Sequence, residues 1–215
     1  MIRALVFDFD GLILDTETPL IEAWARVHRE AGLPYELHEA LALVGHVDVA
    51  FDPWSAFPVE VDRAELERAY RKHKHALIGA EKVLPGVEAL LQAAARRRLR
   101  LGVASNSDHA HVDGHLRRLG LWEFFDAVSC RDDVSSGKPS PEVYHHVLQQ
   151  LGVAPAQAVA FEDSVPGHEA AHAVGIRVVV VPNPSTATFE FPRAWLRVPS
   201  LVEVTLDSLL DRWGH

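Results

Sequence analysis

Short apolar runs punctuate the chain, and each is nearly continuous rather than alternating. They are Ile2–Phe7, Leu99–Ala104, Ala127–Ser129, Ala158–Phe161 and Val178–Val181. Runs of this kind predict parallel strands buried on both faces. Helical patterns lie between them. In Val87–Arg98, the residues Val87, Leu90, Leu91 and Ala94 share one face. Arg96, Arg97 and Arg98 end that segment, where cations suit the helix dipole. His109–Leu119 runs into Gly120 as C-cap. Pro141–Leu151 has Ser140 as its expected N-cap and Gly152 after its end, and Pro166–Val174 closes at Gly175. Strand–helix–strand alternation predicts an α/β fold with a doubly wound, Rossmann-like parallel sheet.

One stretch breaks the rhythm. From about Thr16 to Lys82 the patterns are helical and no strand stands out. Ile21–Ala31 is amphipathic and ends at Gly32; Glu39–Val44 and Arg63–Ile78 also read as helices, with Pro53 and Pro58 in a loop between them. The expected organisation is therefore an α/β core made of residues 1–15 and 83–215, with an all-helical insertion of residues 16–82. The tail from Pro182, with Pro184, Pro192 and Pro199, reads as irregular surface chain before a short final helix at about Thr205–Arg212.

Composition narrows the partners. The 215 residues carry 21 Lys and Arg against 30 Asp and Glu, a net charge of −9. Such a chain has no global field for nucleic acid or anionic lipid, although a local Lys and a metal still accommodate an anionic substrate. Cys130 is the only cysteine, so an intrachain disulfide and a cysteine-based zinc site are both excluded. No run of about 20 apolar residues is present to span a membrane. The expectation is a cytoplasmic protein, a monomer or weak homodimer, that binds neither nucleic acid nor membrane.

In open α/β sheets, ligands bind beyond the carboxyl ends of the strands. The first strand is followed by Asp8-Phe9-Asp10-Gly11, the second by Ser105 and Asn106, and the fourth by Glu162-Asp163-Ser164. Gly137-Lys138-Pro139 precedes the helix beyond the third strand. One rim thus collects four carboxylates, a lysine and small polar side chains. Mutual repulsion would protonate some of those carboxylates unless a cation joins them. Mg²⁺ suits oxygen donors that also face a phosphate. A carboxylate beside Mg²⁺ and Lys can attack a phosphoryl group, and a second carboxyl two residues away can serve as acid and then base.

These segments resemble the haloacid dehalogenase-like hydrolase superfamily, in particular its β-phosphoglucomutase-like and sugar-phosphatase branch with a helical cap. The run Phe7-Asp8-Phe9-Asp10-Gly11-Leu12-Ile13-Leu14-Asp15-Thr16-Glu17 resembles the first family motif and its extension. Ala104-Ser105-Asn106 resembles the second motif, Gly137-Lys138-Pro139-Ser140-Pro141-Glu142 the third, and Phe161-Glu162-Asp163-Ser164 with Gly167 the fourth. The resemblance implies Asp8 as nucleophile, Asp10 as acid and base, and Ser105 and Lys138 as phosphate binders, with Asn106 beside them. It implies Mg²⁺ held by Asp8, the Asp10 carbonyl oxygen and Asp163, with Glu162 a more distant or water-mediated ligand. It also implies a small phosphorylated metabolite as substrate.

Two features bear on the reaction. Mutases of the branch carry a His near the start of the cap where this chain has Leu20, which favours hydrolysis over isomerisation. Arg71-Lys72 is similar to a mutase segment whose Lys faces the substrate, so Lys72 is a candidate specificity residue. The segment His46–Pro58 matches no pattern of the family, and the resemblance places substrate choice there. A phosphomutase is the runner-up reading, followed by a receiver-like phosphoacceptor, which would need neither lid nor second Asp. Trp54 is open to either a packing role or a place in the substrate pocket. His168 and His172, His145 and His146, and His109 and His111 all read as plain surface histidines, and Asp15 as structural.

Overall fold

The computed structural model describes residues 1–35, 52–58 and 60–214. The expected helix Glu39–Val44 and the first part of the segment His46–Pro58 lie outside them. Among the described residues the elements run β1 (Ala4–Phe7), α1 (Glu17–Glu30), α2 (Arg63–Ala80), α3 (Val87–Arg96), β2 (Arg100–Ala104), α4 (His109–Arg118) and β3 (Ala127–Ser129). They continue as α5 (Glu142–Leu151), β4 (Ala158–Glu162), α6 (Val165–Val174), β5 (Arg177–Val180), β6 (Leu196–Arg197) and α7 (Leu206–Trp213).

The six strands form one parallel sheet in the order β3-β2-β1-β4-β5-β6. The fold is the expected α/β, Rossmann-like one. Every residue of β1 and β4 is buried, which explains their unbroken apolar character. Ala4, Val6, Ala104, Ala158, Ala160, Val178 and Val180 face one side and pack on Val143, Tyr144, Val147 and Leu148 of α5 and on Ala170 and Ala171 of α6. Period-two alternation sends Leu5 and Phe7 to the other side, where Phe7 stacks on Phe161 at 4.7 Å. Strand order reverses beside β1, between β2 and β4, so the crevice at the carboxyl ends of β1 and β4 is the switch point of the sheet.

The chain divides into two compact units, residues 1–14 with 83–215, and residues 15–82. In the first, the two ends of the insertion are tied together: Leu84 N–H donates to Ile13 O at 2.9 Å, and Leu14 bridges to Val83. In the second, α1 and α2 pack through Ala23, Val27, Leu66 and Tyr70 around Trp54. Asp62 caps α2 by accepting from Ala64 N–H at 2.9 Å. Trp54 is buried among these residues and donates from Nε1 to Glu67 at 2.8 Å, so it is a core residue of the helical unit. Among the described residues, no helix is long and apolar enough to cross a membrane.

Three sequence expectations need correction. Helix α5 starts at Glu142 with Pro141 as its N-cap, because Gly137–Ser140 closes as a turn through Ser140 N–H to Gly137 O. The tail contributes strand β6, whose two residues are too few to register as a run; Leu196 pairs with Val179. His168 is buried, not on the surface, with its ring edge-on to Phe191.

Gly102 in β2 lies under α5, where a methyl group would sit 2.8 Å from Val147 Cγ2 and 3.0 Å from Leu151 Cδ1. Gly114 in α4 has open space in the same position. Gly102→Ala is expected to destabilise the fold by about 1–3 kcal/mol through overpacking. Gly114→Ala is expected to stabilise it by about 0.5–1 kcal/mol through helix propensity. Urea unfolding of both variants checks the pair, and equal effects would contradict the seating of α5 on β2.

Candidate active site

The ladder carries one step past β1, with Asp8 N–H donating to Phe161 O at 3.0 Å, so Asp8 sits level with the end of β4. The chain then turns sharply. Gly11 has φ +75°, and Gly11 N–H donates to Leu14 O at 2.8 Å. A side chain at Gly11 would collide with the Asp163 carboxylate as well as being strained by that φ. Glycine here lets the loop after β1 close onto the end of β4.

Lys138 is the centre of the crevice. Its buried ammonium donates to Asp8 Oδ1 at 2.7 Å and to Glu162 Oε1 at 2.6 Å. Glu162 also accepts from the Tyr144 hydroxyl and, at 3.4 Å, from Ser164. A side chain at Gly167 would collide with the Glu162 carboxylate, so α6 approaches close behind it. Asn106 fixes the lysine's backbone from both sides: Lys138 N–H donates to Asn106 Oδ1 at 2.7 Å, and Asn106 Nδ2 donates to Lys138 O at 3.1 Å. Glu142 ties off the same loop by accepting from Ser135 and Ser136 N–H.

Asp10 points its carboxylate to a different set of donors. Oδ2 accepts from Ser107 Oγ at 2.7 Å and from Ser105 Oγ at 3.3 Å, and Oδ1 lies 2.9 Å from His111 Nε2. Asp163 Oδ2 accepts from Asn183 Nδ2 at 2.7 Å.

The charges do not balance. Asp8, Glu162 and Asp163 are buried, and their oxygens lie within 4.8 Å of one another. Burial, reinforced by the Glu162 charge and opposed by Lys138, pushes the Asp8 carboxyl up to about 7. Burial alone would lower the Lys138 ammonium, but Asp8 and Glu162 outweigh it and hold the lysine above its usual range. Burial and the Glu162 charge raise the Tyr144 phenol, which therefore remains a neutral donor. Three buried oxygen-donor side chains with one ammonium between them fit a hard divalent cation.

The structure therefore brings Asp8, Asp10, Ser105, Asn106, Lys138, Glu162 and Asp163 to one end of the sheet. Lys72 is exposed on α2, in the helical unit. Asp15 accepts from Thr18 N–H at the start of α1. Sequence reasoning missed Ser107, His111, Tyr144 and Asn183. Asn183 follows β5 almost directly, so extending the strand-end rule by one strand would have found it. His111 carries no such signal, because it stands in the first turn of a helix, among many histidines.

Comparison with known proteins gives the class. The profile of the haloacid dehalogenase-like hydrolases matches residues 5–181. YhcW of Bacillus subtilis (strain 168) is 40% identical over 215 residues, covering 98% of this chain and 97% of that one. The fructose-1-phosphate phosphatase YqaB of Escherichia coli (strain K12) is 35% identical over 185 residues, 82% of this chain and 95% of its own. CbbY from Rhodobacter sphaeroides, solved as a variant in complex with xylulose-1,5-bisphosphate, superposes with a TM-score of 0.78 at 29% identity, covering 97% of this chain and 99% of that one. The chain belongs to the haloacid dehalogenase-like hydrolases. It is an enzyme of the phosphoric monoester hydrolase class.

The raised Asp8 carboxyl has a measurable consequence. At about 7 in the folded protein, this carboxyl lies well above the ordinary aspartate range of the unfolded chain. Between the two the native state holds a proton that the unfolded state releases, so stability falls as pH rises toward 7. Asp8→Asn removes that penalty. In chelator-treated protein, the melting temperature of Asp8→Asn relative to wild type is expected to climb from pH 5 to pH 8. A constant difference across that window would contradict the charge crowding described above.

Proposed function

We propose that the protein is a Mg²⁺-dependent phosphatase of a small phosphorylated metabolite, a sugar phosphate, acting through an aspartyl phosphate on Asp8. The observation that carries this reading is the buried Asp8–Lys138–Glu162 arrangement, with Asp10 two residues from Asp8 and held by separate donors. The substrate class is supported by what YqaB is named for and by what CbbY holds.

In the first half of the reaction, an Asp8 oxygen bonds to phosphorus and the bond to the leaving oxygen breaks. Asp10 gives its proton to that oxygen. In the second half, Asp10 takes a proton from water as the water oxygen attacks phosphorus. The Asp8–phosphorus bond breaks, inorganic phosphate leaves and Asp10 is protonated again. Lys138 and the Ser105 hydroxyl hold the phosphoryl oxygens as charge builds on them. Asn106 keeps the Lys138 loop in place.

Asp8, Asp163 and the Asp10 carbonyl oxygen would hold Mg²⁺, with Glu162, already bonded to Lys138 and Tyr144, further out. When bound, the ion neutralises phosphoryl charge. Lys72 and the helical unit would select the substrate. Hydrolysis is favoured over mutase chemistry because Leu20 packs into the apolar core of the helical unit and offers no proton-carrying group.

The test is phosphate release over a panel of sugar phosphates and nucleotides, with and without Mg²⁺. Multiple turnover that needs Mg²⁺ is expected. Asp8→Asn should fall to background, and Asp10→Asn should lose about 10²–10⁴-fold in kcat. Normal turnover by Asp8→Asn would remove the nucleophile assignment. Isomerised sugar phosphate without phosphate release would make the enzyme a mutase.

A further inference from the structure

Resting on the assignment of Asp10 as acid and base, we infer that His111 is a positioning residue for that carboxyl group. Its Nε2–H holds Asp10 Oδ1 while the Ser107 hydroxyl holds Oδ2. The distances are 2.9 Å and 2.7 Å. In the half of the reaction where Asp10 is ionised and takes a proton from water, its carboxylate only accepts, so His111 then serves it as an Nε2–H donor.

The histidine is itself held on several sides. Its backbone N–H donates to the side chain of Asp108, the N-cap of α4, at 2.9 Å. Its ring stands edge-on to Phe9 at 5.6 Å and 90°, and to His115 at 4.8 Å and 66°. Phe9 is fully buried and directly precedes Asp10 in the chain. The imidazole is thus wedged between the loop that carries Asp10 and the next turn of its own helix. A donor already fixed by packing holds its acceptor at small entropic cost.

The need for such a donor follows from the loop. Asp10 precedes the left-handed Gly11 and lies outside any strand or helix, so its neighbours must fix the direction of its carboxyl group. The Ser105 contact, at 3.3 Å, is longer than those of Ser107 and His111, and Ser105 is also the group assigned to the substrate phosphate. When Ser105 turns to that phosphate, Ser107 and His111 remain to aim Asp10. A small misplacement of a catalytic group costs up to about 100-fold in rate, so losing the His111 contact should be visible in turnover. The role assigned to His111 acts through Asp10.

The test uses His111→Leu, which keeps bulk but removes the donor, and His111→Gln, which restores an N–H at similar reach. Turnover of p-nitrophenyl phosphate is read for both, because hydrolysis of the phosphoaspartate needs Asp10 whatever the leaving group. His111→Leu is expected to lower kcat about 10-fold or more with KM and melting temperature unchanged, and His111→Gln to recover most of the loss. Wild-type kcat in His111→Leu, or equal losses in both variants accompanied by lower melting temperatures, would overturn the inference. Asp10→Asn, measured alongside, separates the two readings. If it is inactive while His111→Leu is normal, only the role of His111 fails; if it is fully active, the acid–base role of Asp10 fails first.

Discussion

Lys138 donates to Asp8 and Glu162 at once, in a crevice where Glu162 is fully buried and Asp8 nearly so. Taking such ions out of water costs several kcal/mol each unless they are paired. That constraint orders the surrounding parts. Asp8 must lie level with the end of β4, so the chain turns at Gly11. Glu162 needs further donors, and Tyr144 and Ser164 supply them. The lysine must reach in from a loop, and Asn106 clamps that loop from the end of β2. Packing of α5 and α6 on one face of the sheet brings Tyr144 and the small Gly167 to the same point.

The same pairing leaves an excess of negative charge, and the proposed chemistry uses it. Asp8 and Glu162 share the buried Lys138 ammonium, and the Asp163 carboxylate lies within 4.8 Å of theirs. Glu162 also accepts from the Tyr144 hydroxyl, whereas burial and the Glu162 charge, against the pull of Lys138, push the Asp8 carboxyl up to about 7. In the proposed reaction Asp8 acts in its ionised form. Positive charge added beside these carboxylates favours that form, so cation binding and nucleophile activation draw on one source. Asp10 stands apart, with hydroxyl and imidazole donors instead of the ammonium. Two carboxyl groups two residues apart thus have different environments, which is what separate nucleophilic and acid–base roles require.

Much of this was legible in the sequence because the sheet is parallel. Buried parallel strands read as unbroken apolar runs, and the residues after them fall at one rim by geometry. Asp8, Ser105, Glu162 and Asp163 follow from that rule alone. The clamp between Asn106 and the Lys138 backbone does not, since it joins residues 32 apart through a side chain with many possible partners. Strand β6 was hidden because two residues set no period. His111 was hidden because its partner is 101 positions away and its helix position shows no sign of that distant contact. His168 shows the converse: its polar side chain reads as solvent-facing, but it is buried with its ring edge-on to Phe191. Local pattern gives the elements and the rim; long-range side-chain pairing gives the roles.

The most direct test of the account is the covalent step. Enzyme mixed with a turning-over sugar phosphate and quenched in acid should carry one phosphoryl group on the peptide containing Asp8. The label should be absent from Asp8→Asn. A phosphoryl group on any other residue, or catalytic turnover with no phosphorylated peptide and with inverted rather than retained configuration at phosphorus, would contradict Asp8 as the nucleophile.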